Sequence, residues 1–147
     1  MECRMDGRNA LITGSSRGLG RAMALNFAAS GANVVICGRR ENLLSETLKE
    51  VEAVSDTKAF AFVGDVSTAA GVAELLDNAE NALGHIDILI NNAGASLRKP
   101  FCEISDEEWV KDFEVKVYAA IRTCRHVLPG MMERKWGRII NVLNIGA

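Results

Sequence analysis

Apolar residues along this chain alternate between two patterns. Short unbroken runs at Ala10 to Ile12, Val34 to Ile36, Ala59 to Val63 and Ile86 to Ile90, and a last one at Ile139, Ile140 and Val142, have the length of buried strands. Between them apolar side chains recur every three or four positions, the period of a helix with one face against a core. The expected stripes are Leu19, Met23 and Phe27 with Ala22 beside them; Leu44, Leu48 and Val51 with Thr47 between; Val72, Leu75, Leu76, Ala79 and Leu83; and Phe113, Val117, Ala120, Ile121, Cys124 and Leu128. Ser30-Gly31 and Gly84 stop the first and third helices, and Ser67 is placed to cap the third. Ser105-Asp106-Glu107-Glu108 is a capping-box pattern opening the longest helix, which Pro129-Gly130 is expected to break or kink. Strand and helix alternate without a hairpin signal, so the fold class is α/β, a parallel sheet with helices on both faces.

Composition narrows the function classes. The chain has 147 residues, one domain's worth, with 48% hydrophobic residues and two prolines. Its 17 basic and 19 acidic residues give a formal charge of −2, which offers no general attraction for nucleic acid. No apolar run approaches the roughly 20 residues needed to cross a bilayer, and the N-terminus lacks the apolar core of a signal peptide, so no membrane partner and a cytoplasmic location are expected. Cys3, Cys37, Cys102 and Cys124 are widely spaced in or beside apolar segments and read as buried, reduced thiols. His85 and His126 have no second ligand at metal-binding spacing, so no metal is expected. Arg134-Lys135, with Arg138 nearby, reads as a solvated turn.

The candidate chemistry begins after the first strand, where Gly14, Gly18 and Gly20 precede a helix. The first N–H groups of a helix lack intrahelical partners and lie at its positive dipole end, and glycines clear the approach of a phosphate. A dinucleotide pyrophosphate suits such a turn. Taken alone, so does a glycine-rich connection that holds nothing.

Residues Thr13 to Gly20 read TGxxxGxG, and Asn91 to Gly94 read NNAG, each after an expected strand. Together they resemble the short-chain dehydrogenase/reductase family, as do Asp65-Val66 after the third strand and Gly137-Arg138-Ile139-Ile140-Asn141 at the fifth. The resemblance spans the whole chain. It implies a Rossmann-like doubly wound parallel sheet of order 3-2-1-4-5, with a nicotinamide cofactor across the carboxyl ends of the strands. It places Gly14, Ser16, Gly18 and Leu19 along the pyrophosphate and adjoining riboses, with Gly20 letting the helix lie close to its strand. Asp65 and Val66 are assigned to the adenine, and Asn91, Ala93 and Gly94 to the nicotinamide-side ribose. Asp65 also reads as a helix-start carboxylate. A carboxylate ending the second strand would suit the free 2′-hydroxyl of NAD; that position is Gly38 here, followed by Arg39, whose guanidinium suits the 2′-phosphate of NADP. Arg17 approaches the same phosphate from the glycine turn, while Arg40 reads as solvated. NADP(H) is the expected cofactor.

The family's catalytic residues are an Asn, a Ser, a Tyr and a Lys, the last two in YxxxK. This chain has no YxxxK, and its one tyrosine, Tyr118, lies in the long helix. In the family that motif follows strand five, so residues 1–147 read as a single dinucleotide-binding domain truncated after the fifth strand. An apolar strand left at the edge points the same way. Counting from Trp109, Lys116 occupies the place of the Asn; counting from Gly137-Arg138, Asn144 occupies that of the Ser. Lys116 reads either as an ammonium in a proton relay or as a lysine whose stem covers apolar surface. Asn144 donates a hydrogen bond to a carbonyl but supplies no hydroxyl proton. Two functions stay open: an NADP(H)-dependent oxidoreductase interconverting a small-molecule carbonyl and an alcohol by hydride transfer, or a dinucleotide sensor of the same descent without turnover. The resemblance further implies a homodimer or homotetramer through the long helix, 105–128.

Overall fold

Five parallel strands form one sheet in the order β3-β2-β1-β4-β5, as expected. The computed structural model describes residues 4–94 and 99–143. The strands are β1 (Asn9–Ile12), β2 (Asn33–Gly38), β3 (Ala59–Val63), β4 (Ile88–Asn91) and β5 (Arg138–Asn141). The helices are α1 (Gly18–Ala29), α2 (Glu41–Val54), α3 (Ala69–Leu83), α4 (Asp106–Phe113) and α5 (Ala119–Glu133), with one π turn, Glu114–Tyr118, joining the last two. Because side chains alternate along a strand, Leu11, Val35 and Leu89 face α3 and α5, while Ile12, Ile36 and Ile90 face α1 and α2. Both faces of the central strands β2, β1 and β4 are therefore dry and read as unbroken apolar runs, while the outer strands β3 and β5 stay partly exposed.

The stripes on α2 and α3 sit where the period puts them: Leu44, Thr47 and Val51 are buried, as are Val72, Leu75, Leu76 and Ala79. Gly84, at φ +85°, ends α3. Ser105 and Glu108 form the expected capping box of α4.

Four expectations are corrected. Gly20, Ala24 and Ala28 are the buried face of α1, and Leu19 is 68% exposed. Met23 and Phe27 pack partly buried beside them, and at Gly20 the approach of Gly14 O leaves no room for a side chain. On α5 the buried residues are Ala119, Thr123, Val127 and Met131, while Phe113, Val117, Ile121 and Leu128 are exposed. The π turn shifts the helical phase between α4 and α5, so no single 3.6-residue stripe runs through both. Pro129 lies inside α5, which continues to Glu133 with Met131 still packed on the core. Finally, Thr68 rather than Ser67 caps α3, its hydroxyl accepting from Gly71 N at 3.0 Å; the Ser67 N–H instead donates to Asp65 Oδ1 at 3.0 Å. Among the described residues no helix is long and apolar enough to cross a membrane.

Candidate functional site

The carboxyl ends of β1, β2 and β4 meet at the β1–α1 turn, and buried hydroxyls lock it there. Thr13 Oγ1 accepts hydrogen bonds from the backbone N–H groups of Asn92 and Ala93, both at 3.0 Å. The Asn92 side chain returns two, donating to Thr13 O at 3.1 Å and Gly14 O at 3.0 Å. Ser15 is fully buried; its hydroxyl donates to Ile12 O at 2.7 Å and accepts from Cys37 N at 2.9 Å. Glycine is obligatory at two points. Gly14 has φ +65°, and a Cβ there would lie 2.7 Å from Ala93 Cα. At Gly20 a Cβ would run into Gly14 O and the Asn92 amide. Thr13, Ser15 and Asn92 belong to the two motifs, but their residue types alone do not signal this role, since most of their partners are remote in sequence.

Beyond this turn opens a cavity of about 1040 Å³ lined by Gly14, Ser16, Arg17, Arg39, Asp65, Val66, Ala93 and Gly94. The fold thus brings together residues expected to act together. Gly18, at φ +56°, has no atom within 4 Å of where a Cβ would sit, and Arg17, the N-cap of α1, makes no side-chain cap bond. Arg40 is exposed, as its solvated reading expects, and also lines the cavity. Arg39 Nη1 lies 3.9 Å from Asp65 Oδ2. Burial pushes the Asp65 carboxyl up, but hydrogen bonds from Ser67 and the charge of Arg39 together hold it below its ordinary value. Burial, reinforced by the Asp65 charge, pushes the Cys37 thiol up to about 12, which leaves it an inert wall residue. Cys37 fits the buried-thiol expectation, Cys124 is half-buried, and Cys102 departs from it by being exposed. Cys3 lies outside the described residues.

A second cavity, about 800 Å³, adjoins the first and shares Ala93, Gly94, Asp112 and Val115 with it. Leu19, Asn91 and Lys116 line this one. The π turn carries Lys116, whose ammonium meets both oxygens of Asp112, at 2.7 and 2.9 Å. A Cβ on Gly94 would lie 3.9 Å from both Cγ and Cε of Lys116, so the lysine stem passes over that glycine. The Asn91 amide is fixed from both sides: its Oδ1 accepts from Thr123 at 2.7 Å and its Nδ2 donates to Asn141 at 2.9 Å. Asn144 lies outside the described residues. Tyr118 lines neither cavity; it stands beside Arg122, which also pairs with Glu114 at 2.7 Å.

Other polar residues serve the scaffold. His85 lies 3.3 Å from the buried Asp87, and His126 lies 3.2 Å from Glu80. Arg134 and Lys135 form the expected exposed turn, in which the Arg134 guanidinium also donates to Ile86 O at 3.0 Å.

Comparison with known proteins agrees with this geometry. The family model described as short chain dehydrogenase matches residues 8–146. The uncharacterized oxidoreductase YvrD of Bacillus subtilis is 37% identical over 142 residues, covering 97% of this chain and 53% of the relative. The crystal structure of L-sorbose reductase from Gluconobacter frateurii, complexed with NADPH and L-sorbose, superposes with a TM-score of 0.89 at 35% identity, over 95% of this chain and 53% of that one. A metagenomic short-chain oxidoreductase in complex with NADP gives a TM-score of 0.89 at 30% identity, over 96% and 64%. The chain spans about half the length of the curated relatives it matches. With sheet order, turn motifs and family model in agreement, the chain belongs to the short-chain dehydrogenase family of oxidoreductases.

Proposed function

We propose that this chain is the cofactor-binding domain, residues 1–147, of an NADP(H)-dependent oxidoreductase that interconverts a carbonyl and an alcohol. The observation that carries the reading is the first cavity, where residues from four strand-to-helix connections converge on one space beside the uncapped start of α1. The NADPH and NADP held by the two solved relatives support it. The fit is steric as well: Gly14 and Gly18 leave backbone where side chains would otherwise stand.

When bound, the nicotinamide cofactor supplies the hydride. In this reading Gly14, Ser16, Gly18 and Leu19 hold the pyrophosphate and its riboses, and Gly20 keeps α1 against the sheet. Asp65 accepts from the adenine amino group while the Val66 N–H donates to the ring. Arg39 and Arg17 take the 2′-phosphate. Asn91, Ala93 and Gly94 form the floor beneath the nicotinamide-side ribose, Lys116 holds a proton at Nζ, and Asn144 donates to the carbonyl oxygen. The exposed apolar side chains of Phe113, Val117, Ile121 and Leu128 support pairing of two copies through this helical stretch.

Titration with NADPH and NADH tests the cofactor assignment: NADPH is expected to bind at least about tenfold tighter, because one charge-assisted phosphate pair is worth that much. Equal affinities overturn the 2′-phosphate assignment. A second reading, a sensor that binds without turnover, draws on Lys116, which stands in the second cavity at the place of the family's Asn. NADPH binding with no oxidation against a panel of carbonyl compounds selects it.

A further inference from the structure

We infer that Asp112 and Lys116 form a charge-neutral pair whose mutual cancellation keeps the second cavity from favouring either the oxidised or the reduced cofactor. The inference rests on the reading above, in which the nicotinamide end lies beside Gly94. Among the described residues lining that cavity, Asp112 and Lys116 alone carry full charges; the rest are apolar, amide or hydroxyl groups. The ammonium contacts both carboxylate oxygens. The Asp112 side chain is 18% exposed against 42% for Lys116, so the carboxylate is the sheltered anchor and the lysine the adjustable partner.

Two opposite charges this close nearly cancel at a third charge farther off. Break the pair, and a full unit charge remains in a space whose other described walls are uncharged. NADP+ carries one positive charge on its ring, which NADPH lacks; the phosphates and riboses are the same. The ratio of the two dissociation constants, Kd for NADP+ over Kd for NADPH, therefore isolates the field at the ring. It cancels most effects on the phosphates and on folding, because both ligands share them.

Calorimetric titration of the two forms at low salt tests this. Asp112→Asn leaves the ammonium unbalanced and is expected to raise the ratio; Lys116→Met leaves the carboxylate and is expected to lower it. Each change is about fivefold for a unit charge acting through a partly solvated site. The double variant, again neutral, is expected to return the ratio to the wild-type value. Lys116→Gln, which keeps a polar end, should match Lys116→Met. Shifts in the same direction for both single variants, or a ratio that neither moves, overturn the inference while leaving the cofactor reading intact. Failure of the wild-type chain to bind either form brings down that reading, and the inference with it.

Discussion

The β1–α1 turn and the helical stretch from Asp106 to Glu133 border the same pair of cavities, yet they are held by opposite means. The turn is fixed by buried and half-buried hydrogen bonds: Thr13 and Asn92 tie it to the end of β4, and Ser15 ties it to β2. The helical stretch is braced near its π turn by partly exposed ion pairs, Asp112 with Lys116 and Glu114 with Arg122. A buried acceptor left without its partner costs far more than an ion pair that water can replace. The turn is thus rigid and intolerant of change, whereas the helix side can be retuned in charge without loss of fold.

The sharpest break of that contrast is Gly20→Val. Its side chain would overlap Gly14 O and the Asn92 amide, and we expect a loss of about 3 kcal/mol or more in urea unfolding, or no folded protein. If Gly20→Val melted like wild type, the turn would not be the rigid partner. Next comes Arg39→Asp, expected to weaken NADPH about 100-fold while leaving NADH within about threefold. Equal losses for the two cofactors would remove Arg39 from the 2′-phosphate. Thr13→Val strips two amides of their acceptor and should cost about 2 kcal/mol, with Thr13→Ser restoring most of it. On the helix side, Asp112→Asn is expected to change unfolding stability by less than about 0.5 kcal/mol, the scale of an i,i+4 pair. A cost matching that of Thr13→Val would erase the distinction between the two regions.

The smallest effect concerns acid. The Asp65 carboxyl is held below its ordinary value in the folded chain, so the unfolded chain binds its proton first as pH falls. Its contribution to stability is present above about pH 4 and is lost as the pH drops through the lowered value. Urea midpoints of wild type and Asp65→Asn should therefore differ by a constant amount near neutrality and converge in acid. A gap that persists unchanged into strong acid would mean that the carboxylate charge does not carry the effect.

Much of the fold was legible because strands and stripes are local. The five runs became five strands in the expected order, and α2 and α3 bury the residues their period names. Two of the errors concern helical faces, where hydropathy favours large apolar side chains and an unbroken period. On α1 it pointed to Leu19, Met23 and Phe27; Met23 and Phe27 do pack partly buried against the core, but Leu19 is exposed and the fully buried positions are Gly20, Ala24 and Ala28. On α5 it pointed to Ile121 and Leu128, because nothing in the residue pattern marks the π turn that rotates Thr123 and Val127 inward. The site followed the same rule. Glycines and charged residues stood out by type, but the hold of Thr13 on Asn92 and of Thr123 on Asn91 left no local signal.

By itself the sequence determined the alternation of strand and helix, the glycine turn and the parallel sheet, because run length, helical period and the lack of a Cβ act within a few residues. Only the tertiary structure decided which helical faces meet the sheet and which charges share a cavity. Those outcomes depend on accumulated helical phase and on the approach of distant segments, Thr13 to Asn92, Arg39 to Asp65, and Gly94 to Lys116.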